Sequence, residues 1–183
     1  MITFLKQTLQ LLLAPTKGWE DVASNSPDAR RSLIHGLLPI IAVAAISVFA
    51  RAIWEHQSFL MLLLSVLTTF AQYFLTYYVA LLAMVTALPY ITISGDTPDE
   101  NRIAVFLCYS VSMMACIAVI GNFMPMELTL VQFLPIYVAV VMAQGRIFLS
   151  VDPESMGKYV GLTVGSVIVP VYLIEYLLDK ITL

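Results

Sequence analysis

SFLMLLLSVLTTFAQYFLTYYVALLAMVTAL, from Ser58 to Leu88, holds no charged residue and no Gly, Pro, Asn or Asp. It lies in a gap of 40 residues, His56 to Gly95, without Asp, Glu, Lys or Arg. A hairpin within a membrane needs a turn, and turns draw on the breakers missing here. The stretch therefore reads as one long tilted helix rather than two short spans folded back. At 1.5 Å per residue it would be roughly 50 Å long against a hydrocarbon core of about 30 Å, so its ends project from the membrane or lie in the interface. Pro89 and Ser94-Gly95-Asp96 end it.

Four more charge-free gaps flank this one: Ser32–Ala50, Ile103–Met126, Leu128–Gly145 and Tyr159–Ile174. Each reaches the ~17–20 mostly apolar residues of a crossing helix, the last by running on to Leu178 and taking in Glu175. Lipid cannot satisfy free backbone groups, so runs of this length must be helices. Composition agrees: of 183 residues, 60% are hydrophobic and 11% charged, with a mean hydropathy of +0.90. A soluble domain is about a quarter charged. The expected fold is an all-α integral membrane protein, a five-helix transmembrane bundle preceded by short amphipathic interfacial helices. Residues 1–31 form the N-terminal helices and linker; 32–180 form the membrane domain, with spans at about 32–54, 58–89, 102–121, 127–148 and 157–178.

Five spans put Lys6, Lys17, Arg30, Arg31, Arg102, Arg146 and Lys158 on one side and only Arg51 and Lys180 on the other. By the positive-inside rule the N-terminus is cytoplasmic and the C-terminus outside. Six spans would destroy this bias. Thr97-Pro98-Asp99-Glu100 reads as a capped start with proline at the first helical position, and Asp152-Pro153-Glu154 repeats the signal. Ser26-Pro27 marks the approach to the first span. Ile2, Leu5, Leu9 and Leu12 share one face of an N-terminal helix suited to the membrane interface; a signal peptide fits less well, because Lys6 interrupts its weak apolar core. Ala14-Pro15-Thr16 breaks this helix, and Trp19 beyond it is a candidate interface anchor.

Ionisable and amide groups at membrane depth are the places to look for function. His35 lies one turn into the first span and Glu175 one turn from the outer end of the fifth. Arg51, Glu55 and Glu127 gather at the outer edge, and Gln72, Gln132 and Gln144 fall within spans. They could line a path for a solute. The alternative, favoured by the lack of a recurring acidic ladder, is that Arg51 pairs with Glu55, Glu175 pairs with Arg51 or reaches outward, and the amides tie helices together. Phe70, Tyr73, Phe74, Tyr77 and Tyr78 read as a packing stripe, and Pro39, Pro135 and Pro170 as kinks. Cys108 and Cys116, eight apart on one helix, are beyond disulfide reach and read as core residues. No catalytic, cofactor or metal pattern is present, and no basic run points to nucleic acid.

The order of features resembles a known family. Leu13-Ala14-Pro15-Thr16-Lys17-Gly18-Trp19-Glu20 precedes the first span, Cys108-Tyr109-Ser110 lies in the third, and Gly145-Arg146-Ile147-Phe148-Leu149 with Val151-Asp152-Pro153-Glu154-Ser155 joins the fourth to the fifth. Over nearly the whole chain this is similar to the Ypt-interacting-protein (Yip) family, of the Yip-one type and its short prokaryotic branch. The resemblance implies five spans with a cytoplasmic N-terminus, and makes Tyr109 a candidate interaction position. Eukaryotic members bind small Rab-type GTPases, form hetero-oligomers and shape membranes. This chain lacks their long N-terminal region and Gly-Pro signature, and has Met113-Met114 where many relatives have proline, so GTPase binding does not carry over. The expected function is a non-enzymatic, multi-pass protein acting through contacts with itself or other membrane proteins, or through the lipid bilayer. A small channel or transporter is the alternative.

Overall fold

The computed structural model describes residues 2–53, 58–91, 98–124 and 129–182. Among them every regular element is helical. Two short helices, α1 (Ile2–Leu13) and α2 (Pro15–Asn25), lead into α3 (Ala29–Ile53), α4 (Phe59–Tyr90), α5 (Glu100–Phe123), α6 (Thr129–Gln144) and α7 (Met156–Thr182). Four segments are long and apolar enough to cross a membrane: α3, α4, α5 and Pro153–Leu178. The chain is thus a helical membrane protein. Ser58–Leu88 is one helix, as its lack of turn residues requires. Ser58 caps it, its hydroxyl accepting the Met61 N–H, and a 3-10 turn carries it through Pro89 to Tyr90.

Within the expected fourth span, 127–148, the described residues place α6, 16 residues over Thr129–Gln144. After Gln144 the chain runs through turns over 145–150, and Ser150 has a φ of 54°. Only glycine fits at 145: a Cβ there would stand 2.5 Å from the Phe106 ring. The start of α5 departs from the expected cap. Asp99, not Thr97, occupies the N-cap position, so Pro98 precedes the helix instead of opening it. Thr97 lies outside the described residues. Asp152 and Pro153 hold the expected cap and first-turn positions, in a 3-10 turn that runs into α7.

Packing places α5 on the axis. It touches α3, α4, α6 and α7, while α4 and α7 form the most extensive helix pair. Every residue from Ile103 to Ala115 is buried, as befits a helix apolar all round. Around it α3, α4, α7 and α6 form an open ring, and α1 and α2 seal the seam between α6 and α3. Of the aromatic stripe on α4, Tyr73 and Tyr77 turn inward while Phe70 and Tyr78 remain exposed.

Expectation and structure differ most at the N-terminus. Phe4, Thr8 and Leu11 of α1 pack on the bundle, whereas Ile2 and Leu9, from the face read as apolar, point outward at 70% and 47% exposure. Leu5 and Leu12 of that face pack against the bundle, so α1 carries one broad apolar arc whose Ile2–Leu9 edge is left outward. Trp19 needs a fuller correction. It is fully buried, not set against lipid: its indole stacks on Phe106 and Phe148 at 5.1 and 5.6 Å, and Nε1 donates to the Val141 carbonyl at 2.9 Å. It fastens α2 to α5 and α6. Gly18 beside it allows the close approach, since a Cβ would meet Leu11 at 2.9 Å.

Candidate functional site

Two polar regions emerge, one at each end of the bundle. The larger is a cleft of about 780 Å³ where α1, the 25–28 linker, the start of α3 and α5 converge. The linker is held firmly. Asn101 of α5 accepts the Ala29 N–H at 2.8 Å and donates to the Pro27 carbonyl at 3.2 Å. Asp28 then caps α3, its Oδ2 accepting the Arg31 N–H at 2.9 Å.

One turn further on, α3 widens into a π-helical turn over Leu33–Leu37. The cause is Pro39, which has no N–H to give the His35 carbonyl and whose ring would crowd it. The helix relieves the clash by an i−5 step, in which the Leu38 N–H reaches the Leu33 carbonyl. Such bulges recur at functional sites. This one presents His35 and Gly36 to the cleft. A Cβ at Gly36 would stand 2.5 Å from the Phe4 ring, so glycine lets Phe4 lie against α3. Phe4 in turn stacks on Tyr109 at 4.3 Å, with ring planes 9° apart. The Tyr109 hydroxyl donates to Gln7 Oε1 at 2.6 Å. A second, apolar crevice of about 280 Å³ lies on the same three helices, lined by Leu5, Pro39, Ile40, Val43, Cys116, Val119 and Ile120.

At the opposite end, Arg51 Nε donates to Asn122 Oδ1 at 2.7 Å, and Asn122 Nδ2 donates to Ser47 Oγ at 2.8 Å. This chain ties α3 to α5. Gln72 Nε2 donates to the Val171 carbonyl at 3.1 Å and to Glu175 Oε2 at 3.3 Å, tying α4 to α7. Of the expected positions, then, His35 and Tyr109 meet in the cleft, and Gln72 and Glu175 meet each other. Arg51 pairs with an amide that the sequence reading passed over. Gln144 ends α6, half-buried and apart from both regions. Glu55, Glu127 and the side chain of Gln132 lie outside the described residues, as does the expected Arg51–Glu55 pair. The described residues contain no group of three or more His, Cys, Asp or Glu that could hold a metal.

Gln7, Asp28, Arg31, Gly36 and Asn122 were not singled out from sequence. A signal existed for two of them. Gly36 follows a histidine and precedes Pro39 inside one span, and Asn122 is an amide inside the charge-free gap of the third. Compared with protein-family models, with curated proteins and with solved structures, the chain matches none.

Proposed function

We propose that the chain is a five-span, non-enzymatic membrane protein of the Yip type that works by associating with itself or other membrane proteins and by organising the surrounding bilayer. In this reading α6 is the fourth span, the N-terminus is cytoplasmic, α1 lies at the interface on the outward edge of its apolar arc, and the membrane is the bacterial inner membrane. The observation that carries it is how the interior is used. An apolar helix, α5, fills the axis, and the buried polar side chains within the described spans bond to backbone or to one another. Thr76, Ser110 and Ser47 donate to carbonyls of their own helices, Tyr159 donates to Met142 of α6, and Gln72 bridges two helices. Ser112 Oγ is the buried exception. The bonds of Tyr159 and Gln72 hold helices together, and the hydroxyls turned back on their own helices line no path.

Interaction is then left to the outer surface. Gly157, Gly161 and Gly165 recur every four residues on one exposed face of α7, and a Cβ at any of them would meet nothing within 4 Å. Glycine weakens a helix, and small residues at this spacing let two membrane helices approach closely. The family reading gains support from the convergence of its motifs. Trp19, Phe106, Tyr109 and Phe148 come from three separate stretches and form one aromatic cluster.

Reconstitution in liposomes tests this. The purified chain is expected to self-associate, to lose association on Gly161→Leu, and to pass no ions or small solutes. The cleft at His35 favours the channel as second reading, and specific flux abolished by His35→Leu or Gln72→Leu would establish it instead. A reporter fused after Leu183 tests the span count; a cytoplasmic signal overturns five.

A further inference from the structure

We infer that the N-terminal cleft and the apolar crevice together form one binding site for a glycerophospholipid with an amine-bearing headgroup. The inference rests on the proposed placement of α1 at the membrane interface, and it names the lipid that this end of the bundle would hold.

Adjacency of the two cavities, parted by the Phe4 ring, is the first ground. Phe4 lines the cleft and its neighbour Leu5 lines the crevice. On α3, Gly36 belongs to the cleft and Pro39 and Ile40 to the crevice, three and four residues deeper along the same face. On α5, Tyr109 belongs to the cleft and Cys116 to the crevice, two turns further along that helix. Both α3 and α5 therefore turn from polar to apolar lining in the same direction, while on α1 the cleft residues Thr3, Phe4 and Gln7 flank Leu5. The offset is about 5–10 Å at 1.5 Å per residue, the sense in which a headgroup gives way to an acyl chain.

Charge is the second ground. The cleft holds one cation, one acid and one histidine: Arg31, Asp28 and His35. The guanidinium of Arg31 and the imidazole of His35 make no hydrogen bond or ion pair with another described residue, and both side chains are exposed. A guanidinium fork suits a phosphate diester. Asp28 spends one carboxylate oxygen on the cap of α3 and brings a negative charge into the same cleft. A phosphate alone would meet Arg31 but be repelled by Asp28; a phosphate that carries an ammonium meets both. The π-turn that opens the helix at His35 and Gly36 belongs to this lining.

The test is native mass spectrometry of the full chain released from nanodiscs of phosphatidylethanolamine and phosphatidylglycerol in equal parts. Wild type is expected to retain one phosphatidylethanolamine per chain in preference to phosphatidylglycerol. Arg31→Ala should weaken retention roughly 10-fold or more, the loss expected of a hydrogen bond to a charged group. Asp28→Asn keeps a good capping residue; it should retain lipid but lose the headgroup preference. Cys116→Phe, which fills the crevice and leaves the cleft intact, should also weaken retention. Helical circular dichroism and self-association are recorded on the same samples. Intact self-association without lipid retention overturns the lipid site and leaves the proposed function standing. Retention unchanged by Arg31→Ala, preference for phosphatidylglycerol, or equal affinity for soluble glycerol phosphate each overturns it as well.

Discussion

Gly36 and Phe4 show how much of the N-terminal packing depends on one missing methyl group. Gly36→Ala forces its Cβ into the Phe4 ring, and overpacking of this kind costs about 1–3 kcal/mol. The ring cannot swing away freely, because it stacks on Tyr109. Thermal unfolding in detergent should register the loss, and most of it should vanish when Gly36→Ala is made in a Phe4→Ala background. Equal cost in both backgrounds would show that the ring is not the obstacle. At this scale the sequence was only partly legible. Tyr109 stood out through a resemblance alone, and its partner Gln7 is 102 residues away in the chain. No local periodicity carries that pairing. Trp19 was visible as a tryptophan near a membrane boundary, and its burial depends on Phe106, Phe148 and Val141, which only the tertiary fold brings to it.

Helix by helix, apolar length was the reliable signal and helix ends were not. The long α4 follows from the absence of turn residues over Ser58–Leu88, and no tertiary contact was needed to foresee it. The need for glycine just past the end of α6 was hidden, because the Phe106 ring that Gly145 accommodates comes from another helix. Two joins between helices can be probed separately. Trp19→Ala removes a fully buried indole from the α2–α5–α6 junction and should cost about 3–5 kcal/mol. Trp19→Phe keeps much of the stacking and gives up the bond to Val141, worth about 1 kcal/mol. A smaller loss for alanine than for phenylalanine would refute this account of the junction. Gln72→Leu cuts the side-chain tie between α4 and α7, where bonds between membrane helices average ~0.6 kcal/mol and rarely exceed ~1.7. A destabilisation well beyond that range in reversible unfolding would mean that the Gln72–Glu175 pair does more than fasten two helices.

Across the whole molecule an early helix, α2, is finished by nearly the last contacts formed. Trp19 donates to a carbonyl 122 residues further along the chain. At ~5–20 residues per second the ribosome needs about 6–24 s to supply that acceptor. Until Val141 and Phe148 emerge, the indole of α2 lacks two walls of its pocket, whereas the partners of Phe4 on α1, Gly36 and Tyr109, are already made. Docking of α2 therefore waits for α6. In a Cys108→Ala, Cys116→Ala background, Val22→Cys should react with a maleimide in chains arrested after Phe123 and be protected in full-length protein, where Val22 is fully buried. Protection already present in the arrested chain would mean that α2 docks without α6. The bundle is thus closed from its beginning by its end, and completion of the amino-terminal seal becomes a late checkpoint in biogenesis.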